Sequence, residues 1–320
     1  MNKYLLISPY FGKLPPTFQK WLNSCKTNDF IDFIVITDDK SQYELPENVR
    51  IEYMSFDELK TIIQAKFDFK VNLPSPYKLC DFKPSFSYIF DKYTSGYEYC
   101  GNCDLDLIFG DLSKFLPEEK YDKISYLGHV TFYKNDDAII NAFKKQSSSK
   151  VTYKEIFSND ANFGFDEVWK YGINRIFLEN NLSIFSFEKY AADFTTITEN
   201  LRLSHFISED YSFNIDDFET IFTQKNGQIV GWYVKDGRLL SKEFAYAHFQ
   251  KRKMVDYRDV KDSDYIIGPH GFYPYEEMSI EILNRFHGKD MGMERFKRRY
   301  KAYKNSLYRR IQLFKISNSR

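Results

Sequence analysis

Tyr97-Glu-Tyr-Cys-Gly-Asn-Cys-Asp-Leu-Asp-Leu-Ile-Phe-Gly-Asp111 is the stretch whose reading decides the fold. It reads as a strand that runs into Asp104-Leu105-Asp106 and turns at Gly110. In extended chain, alternate residues share a face, so Asp104 and Asp106 point the same way. Ionised carboxylates among apolar neighbours are costly to bury without a partner. A divalent cation is the simplest partner, because Mg²⁺ and Mn²⁺ favour carboxylate oxygens and are often held by one or two of them plus phosphates. A solvated turn is the competing reading. It is weakened by the buried-looking run Leu107-Ile108-Phe109, and by Asp111, which stands where a cap is expected and frees the first two acids from that role.

Upstream, Lys3 to Ser8 reads as a buried first strand with the loop Pro9-Tyr10-Phe11-Gly12 at its end. A helix follows over Thr17 to Lys26, with Phe18, Trp21, Leu22 and Cys25 on one face. Ile31 to Ile36 and Val49 to Tyr53 read as strands. Ser55-Phe-Asp-Glu58 is a capping box opening a helix that runs to about Phe67. This β-α-β-β-α order predicts an α/β fold with a mostly parallel central sheet flanked by helices. Ligands of such sheets bind outside the carboxyl ends of the strands, where Asp38 and Asp104 both fall. Downstream, Lys78 to Tyr93 is expected to be helical with a break or a start at Pro84. Lys123 to Tyr133 is expected as strand, Asp136 to Lys145 as helix, Gln146 to Lys150 as a mobile loop and Phe165 to Asn180 as helix. Gln228 to Ala247 is expected as a hairpin turned at Lys235-Asp236-Gly237.

The chain has 320 residues and no net formal charge, with 31 Phe and 25 Tyr. That length holds a substantial core, and the balance excludes a polyanion-binding field over the whole surface. No run approaches the ~18 apolar residues of a spanning helix, and Met1 to Ser8 is too short an apolar run for a signal peptide. A cytoplasmic protein is expected, peripheral on the inner face of the plasma membrane if its tail binds lipid. Cys100 and Cys103 fit C-x-x-C, which zinc or redox chemistry uses. Without a second pair, and on a strand, they read better as small buried hydrophobes.

Two further features carry chemistry. Ala247-His248-Phe249-Gln250-Lys251-Arg252-Lys253 follows the hairpin; imidazole is a good ligand for a transition-type divalent ion, and the three cations suit a diphosphate. A partly buried histidine beside a solvated face is the plainer alternative. Together with Asp104 and Asp106, His248 would complete a set able to hold a metal diphosphate. At the far end, residues 294–310 carry Arg295, Lys297, Arg298, Arg299, Lys301, Lys304, Arg309 and Arg310 against Glu294 alone. Phe296, Tyr300, Tyr303, Leu307, Ile311 and Phe314 recur at helical spacing, giving a basic amphipathic helix with an aromatic stripe. An anionic membrane surface is its expected partner, against a terminal helix packed on the domain. Nucleic acid is not expected as a partner, because the basic residues gather in this one segment.

These residues bring a resemblance into view. Ile7-Ser-Pro-Tyr-Phe-Gly12, Val35-Ile-Thr-Asp38, Lys78-Leu-Cys-Asp-Phe-Lys-Pro84, Cys103-Asp-Leu-Asp-Leu-Ile-Phe-Gly-Asp111, Gly128-His129, Phe165-Asp-Glu167 and His248-Phe-Gln-Lys-Arg-Lys-Met254 together resemble bacterial glycosyltransferases of the GT-A type. The likeness is to those of capsule and lipopolysaccharide clusters, and more distantly to retaining galactosyltransferases with Asp-x-Asp and a C-terminal His. The resemblance implies a GT-A domain over residues 1–285, with a nucleotide-sugar half at about 1–130 and an acceptor half at about 131–285, and a basic helical tail over 286–320. It implies Mn²⁺ or Mg²⁺ held by Asp104, Asp106 and His248, and a UDP-sugar donor. Pro9, Tyr10, Phe11 and Asp38 would lie near the base. Asp81 and Lys83 would touch ribose or donor sugar, Gly128 and His129 would line the sugar pocket, and Lys251, Arg252 and Lys253 would face the phosphates. Asp166 and Glu167 would lie on the acceptor side as candidate catalytic acids, where the plainer reading is first-turn acids of a helix. The acceptor implied is an oligosaccharide or lipid-linked glycan, and the transferred group a hexose, galactose or glucose by default. Gly128-His129 replaces the retaining family's usual small-residue stretch. The competing functions are a nucleotidyl- or phosphotransferase acting on sugar phosphates, and a non-catalytic nucleotide-sugar-binding module.

Overall fold

A near-continuous apolar run buried on both faces is what a central parallel strand requires, and β1 (Tyr4–Pro9) supplies it. Leu5 and Ile7 enter one apolar cluster, while Tyr4 and Leu6 enter another on the opposite face. The structure, a computed structural model, describes residues 2–316 except 197, 205–218, 251, 258–259, 261–262, 288–295, 297–299, 301–302, 305–306 and 309. Around β1 stand β2 (Ile31–Thr37), β3 (Val49–Tyr53) and β4 (Tyr99–Cys103). After β5 (Leu107–Phe109) come β6 (Lys123–Ile124), β7 (Val130–Lys134) and β8 (Ile184–Phe185). The sheet order is β3-β2-β1-β4-β7-β6-β8. Four of its neighbouring pairs are parallel, and β7 runs antiparallel to both β4 and β6.

Helices cover both faces, as the β-α-β-β-α order predicts. Helix α1 (Phe18–Lys26) buries Phe18, Trp21, Leu22 and Cys25 in the second cluster. Helix α2 (Phe56–Ala65) buries Leu59 and Ile63 in the first and opens with the expected capping box. There Ser55 N donates to Glu58 at 2.7 Å, and Glu58 N donates to Ser55 Oγ at 3.2 Å. The chain runs outward from β1 to β3 and then returns to place β4 on the other side of β1. This reversal is the topological switch at which α/β sheets open a ligand crevice. Cys100 and Cys103, three apart on β4, fall on opposite faces, one in each cluster. Both are free and buried, and burial pushes both thiols up to about 12, so they serve as small hydrophobes.

The rest of the chain adds two sheets. β9 (Ala191–Asp193), β10 (Ile221–Lys225), β11 (Gln228–Lys235), β12 (Arg238–Phe244), β13 (Tyr246–His248), β14 (Val255–Asp256), β15 (Tyr265–Gly268) and β16 (Gly271–Pro274) complete the strands among the described residues. Six of them form a largely antiparallel sheet ordered β12-β11-β10-β15-β16-β14. The expected hairpin is its edge: Asp236 and Gly237, at φ 51° and 71°, turn β11 into β12 as an Asp-Gly pair does in a type I′ turn. The third sheet is short and decisive for the site, with β13 central between β5 and β9.

Several expected elements differ. The 78–93 segment is a 3-10 helix over Pro76–Ser85, followed by one short α-turn, Phe86–Ile89, because Pro84 has no N–H for an i→i−4 bond. The helix expected from Phe165 begins only at Ile173. Phe165 to Gly172 forms turns, and a side chain at Gly172 would strike the Val168 and Phe165 carbonyls. The strand region from Lys123 is two short strands joined by a tight loop, with Ser125 at φ 80°. The loop at 146–150 is pinned: Ser148 Oγ donates to Glu179 and accepts from Arg175, both at 2.6 Å. No helix among the described residues is long and apolar enough to cross a membrane. Of the expected basic tail, Arg295, Lys297, Arg298, Arg299, Lys301 and Arg309 lie outside the described residues.

Lys123 on β6 is fully buried, donating to the Ser125 carbonyl and, at 2.8 Å, to Asn174 Oδ1. Burial pulls its pKa down to about 7 despite Glu188, Asp166 and Glu167 nearby. The unfolded chain therefore holds a proton that the folded chain releases between about pH 7 and 10.4, and stability rises with pH across that window. Lys123→Met should remove this contribution. Urea unfolding should show the wild type gaining on the variant by up to about 1.4 kcal/mol per pH unit between roughly pH 7.5 and 9.5; a constant difference would contradict the assignment.

Candidate active site

Strand pairing assembles the site. Antiparallel pairing of β5 with β13 sets His248 opposite Leu107, the residue after Asp106, and Phe249 N donates to the Asp106 carbonyl at 2.9 Å. Parallel pairing of β13 with β9 sets His248 opposite Asp193. On the other side, Asp104 N donates to the His129 carbonyl at 2.8 Å, just beyond the Cys103–Val130 pair of β4 and β7. Residues up to 144 positions apart in sequence are thereby brought together by backbone ladders, with Asp104 and Asp106 on the bend between β4 and β5 and His129 on the turn before β7.

The side chains follow. His248 Nε2 lies 3.3 Å from Asp106 Oδ1 and 3.8 Å from Asp104 Oδ2. Its Nδ1 lies 2.7 Å from Asp193 Oδ1, and the Gln250 amide donates to both oxygens of Asp193 at 3.0 Å. Burial would lower the pKa of His248, but Asp106 and Asp193 overcome it and hold the imidazolium well above the usual histidine range. Burial would likewise raise Asp106 and Asp193, yet the adjacent imidazoles hold both below the usual carboxylate range. The His129 ring lies 3.9 Å from that of His248, and burial together with that charge pushes its pKa down to about 4, so it is neutral.

A second arm centres on Lys83. Its ammonium donates to Asp104 Oδ1 at 2.7 Å and to the Gly128 carbonyl at 3.0 Å, and lies 3.3 Å from Asp166 Oδ2. Burial alone would discharge it, but Asp104 and Asp166 hold its pKa well above the ordinary lysine value. Asp166, buried and facing Glu167, Asp81 and Asp104, is pushed up to about 7 despite Lys83. Glu167 turns toward the cavity: it accepts from Gly128 N at 3.3 Å, lies 3.9 Å from His129 Nε2, and keeps 37% of its side chain exposed. The cavity measures about 380 Å³ and is lined by Asp104, Asp106, Asp166, Glu167, Glu188, Asp193, His129, His248, Lys83 and Gln250 among others.

Asp104, Asp106 and His248 therefore meet, with ligand atoms close enough for one ion; His129, Asp193 and His248 form an overlapping group. Chemistry favours the first set. One ion cannot use both nitrogens of His248, and Nδ1 is already taken by Asp193, which Gln250 steadies. A carboxylate on the far nitrogen of a ligating histidine is the usual outer-shell arrangement. The two carboxylates suit Mn²⁺ or Mg²⁺, and the imidazole suits a transition-type ion, so the set as a whole fits Mn²⁺ better than Mg²⁺.

Other expected residues take different places. Asp81 is fully buried and does not touch the cavity, which corrects the expected contact with ribose or donor sugar. Its oxygens accept from Phe163 N and Phe165 N at 2.9–3.1 Å and pair with Lys78 at 2.7 Å, so it staples the turn carrying Asp166 and Glu167. Those two acids sit on that turn, outside the helix, so the helix-dipole reading is also corrected. Arg252 does not face the cavity: its guanidinium is spent on the carbonyls of Thr195, Thr198, Glu199 and Asn200, at 2.6–3.1 Å. Lys253 is exposed and does not line the cavity, and Lys251 lies outside the described residues. Asp38 is exposed and accepts from Gly12 N at 2.7 Å, tying the Pro9–Gly12 loop to the end of β2. Tyr10 is near enough to Asp106 for burial and that charge to raise its phenol, whereas Phe11 is buried against Phe56. Pro9 is the half-buried last residue of β1. Sequence reasoning missed Asp193 and Glu188. Glu188 accepts from Tyr126 N and, at 3.0 Å, from Ser125 Oγ, and shapes the loop that presents Gly128 and His129.

Gly128 leaves room for the buried Asp166 carboxylate, which would have to shift for a Cβ there. Gly128→Ala should cost about 1–3 kcal/mol in urea unfolding, as overpacking does. Adding Asp166→Ala should cost less than the sum of the two single changes, and strict additivity would contradict the contact. A comparison with curated proteins finds no match. One protein family matches over residues 6–276, described as "Family of unknown function (DUF6625)", and since that range covers most of the 320 residues, the chain belongs to this family.

Proposed function

We propose that the protein is a metal-dependent glycosyltransferase of GT-A type that moves a hexose from a UDP-sugar to a surface-polysaccharide or lipid-linked oligosaccharide acceptor. The observation that carries this reading is the meeting of Asp104, Asp106 and His248 at the carboxyl end of β4, with His248 Nε2 within 3.8 Å of both acids. The β3-β2-β1-β4 order supports a nucleotide-binding sheet, and the cavity opens at the carboxyl end of β4, on the side of β7, β9 and β13. A volume of about 380 Å³ suits a small polar ligand, at the lower end of known pockets.

The residues divide the work. Asp104, Asp106 and His248 would hold Mn²⁺ or Mg²⁺, which when bound neutralises charge on a departing diphosphate. Asp193 and Gln250 hold His248 in one orientation. Lys83 is committed to Asp104 and Asp166, so its task is to fix those carboxylates, not to bind phosphate. With Arg252 likewise engaged, the residues described offer the diphosphate no free cationic side chain in the cavity. Glu167, half open to the cavity, is better placed than the buried Asp166 to receive the acceptor hydroxyl proton in an inverting reaction. In a retaining reaction it would orient the sugar instead.

UDP release from a panel of UDP-hexoses, with and without Mn²⁺, tests the reading. Asp106→Ala should lower metal-dependent turnover by about 10²–10³-fold, as loss of a main electrostatic element does, while thermal unfolding stays cooperative. Turnover unchanged in Asp106→Ala would reject the metal assignment. Release of pyrophosphate or inorganic phosphate in place of UDP would favour nucleotidyl or phosphoryl transfer.

A further inference from the structure

The described residues between 296 and 316 are helical, and their two sides differ. Leu313 and Ile316 pack against the apolar cluster that also holds Phe82, Phe163 and Phe165. At roughly 100° per residue, Phe296, Tyr300, Tyr303, Leu307, Ile311 and Phe314 fall within about 80° of one another, on the side away from Leu313 and Ile316. All six are exposed, Phe296 and Phe314 by 69% and 68%. Exposed apolar side chains that recur at this period mark an interaction surface. Lys304 and Lys315 border the stripe on one side and Arg310 on the other, all three exposed.

From this we infer that the stripe docks the protein on a lipid surface bearing anionic headgroups. Charge decides between lipid and a second copy of the chain. The 4-3-4 spacing from Phe296 to Leu307 would suit a two-helix seam. Continuing that spacing puts Arg310 in the seam itself and Lys304 beside it. Over residues 294–310 the only acid is Glu294, against eight Lys and Arg. Two copies would meet cation to cation, whereas an anionic bilayer accepts the apolar stripe and pairs with its borders. The helix does not span the bilayer; it lies along it, and its Leu313–Ile316 side is seated on the cluster beneath the turn that carries Asp166. This inference does not depend on the glycosyltransferase reading, because its readout is partition and not turnover.

The full-length protein is sedimented with vesicles of phosphatidylcholine alone, or with about a third phosphatidylglycerol, at low and high salt. The wild type should partition onto the anionic vesicles, and less so at high salt. Phe296→Ser/Tyr303→Ser/Phe314→Ser should lower partition more than about tenfold, as should Lys304→Glu/Arg310→Glu/Lys315→Glu. Circular dichroism checks that both variants remain folded, which the exposure of every changed side chain leads us to expect. Absence of wild-type binding, or equal binding by the serine variant, would overturn the inference. So would a concentration-dependent dimer dispersed by the serine variant, or salt-sensitive binding to duplex DNA or RNA in place of vesicles.

Discussion

An excess of negative charge in a half-enclosed cavity is the constraint on which the site depends. Asp104, Asp106, Asp166, Glu167, Glu188 and Asp193 all line it, and Lys83 is the lysine or arginine among the described lining residues. Mutual repulsion of that kind is relieved in only a few ways: protonation, a bound cation, or hydrogen bonds to the anionic form. All three operate here. Asp166 is pushed up to about 7, Lys83 is shared between two acids, and Glu188 takes amide and hydroxyl donors from the Ser125–Tyr126 turn. At Asp104 and Asp106 the imidazolium of His248 supplies the positive charge. A divalent ion would need that same nitrogen deprotonated, so ion and proton compete for one place.

The constraint explains the architecture around it. The short sheet β5-β13-β9, buried but for Asp193, lies between the parallel sheet and the antiparallel one and sets His248 between Asp106 and Asp193. Outside it, buried polar groups work as fasteners. Asp81 holds the turn of Asp166 and Glu167, and Arg252 gathers four carbonyls of the segment that follows β9. Removing one partner of such a buried charged group costs about 3–5 kcal/mol, because the other is left unpaired. These residues thus keep the acidic cavity in shape without lining it.

How far the sequence could be read follows from the range of each interaction. The first half of the sheet was legible because local signals agreed: the apolar run of β1, the face of α1, the Ser55–Glu58 capping box and the Asp236-Gly237 turn. The period of extended chain singled out Asp104 and Asp106, but the expected strand breaks there: both stand on the bend between β4 and β5, which belong to different sheets. Asp111 caps the next turn as expected, its carboxylate accepting from Ser113 N at 3.1 Å. His248 was picked out by its imidazole and the cations that follow it, and joined to the two acids without a local signal for the contact, since the β5–β13 pairing that brings it home joins distant segments. Asp193 ends a three-residue strand, Ala191-Ala192-Asp193, too short for periodicity to mark; its one sequence signal is an acid closing a small apolar run, as Asp104 closes β4. Asp81, Arg252 and Lys83 were given ligand contacts because sequence reveals a charge and not its partner. Each of the three is engaged inside the protein, Asp81 and Arg252 away from the cavity and Lys83 while lining it.

The central claim, that one divalent ion sits between Asp104, Asp106 and the Nε2 of His248, is tested most directly by anomalous diffraction from crystals grown with Mn²⁺ and UDP. The account predicts a single manganese peak about 2.0–2.3 Å from an oxygen of Asp106 and from His248 Nε2, with Asp193 still on Nδ1. A peak between His129 and Asp193, or no peak within reach of Asp106, would contradict it.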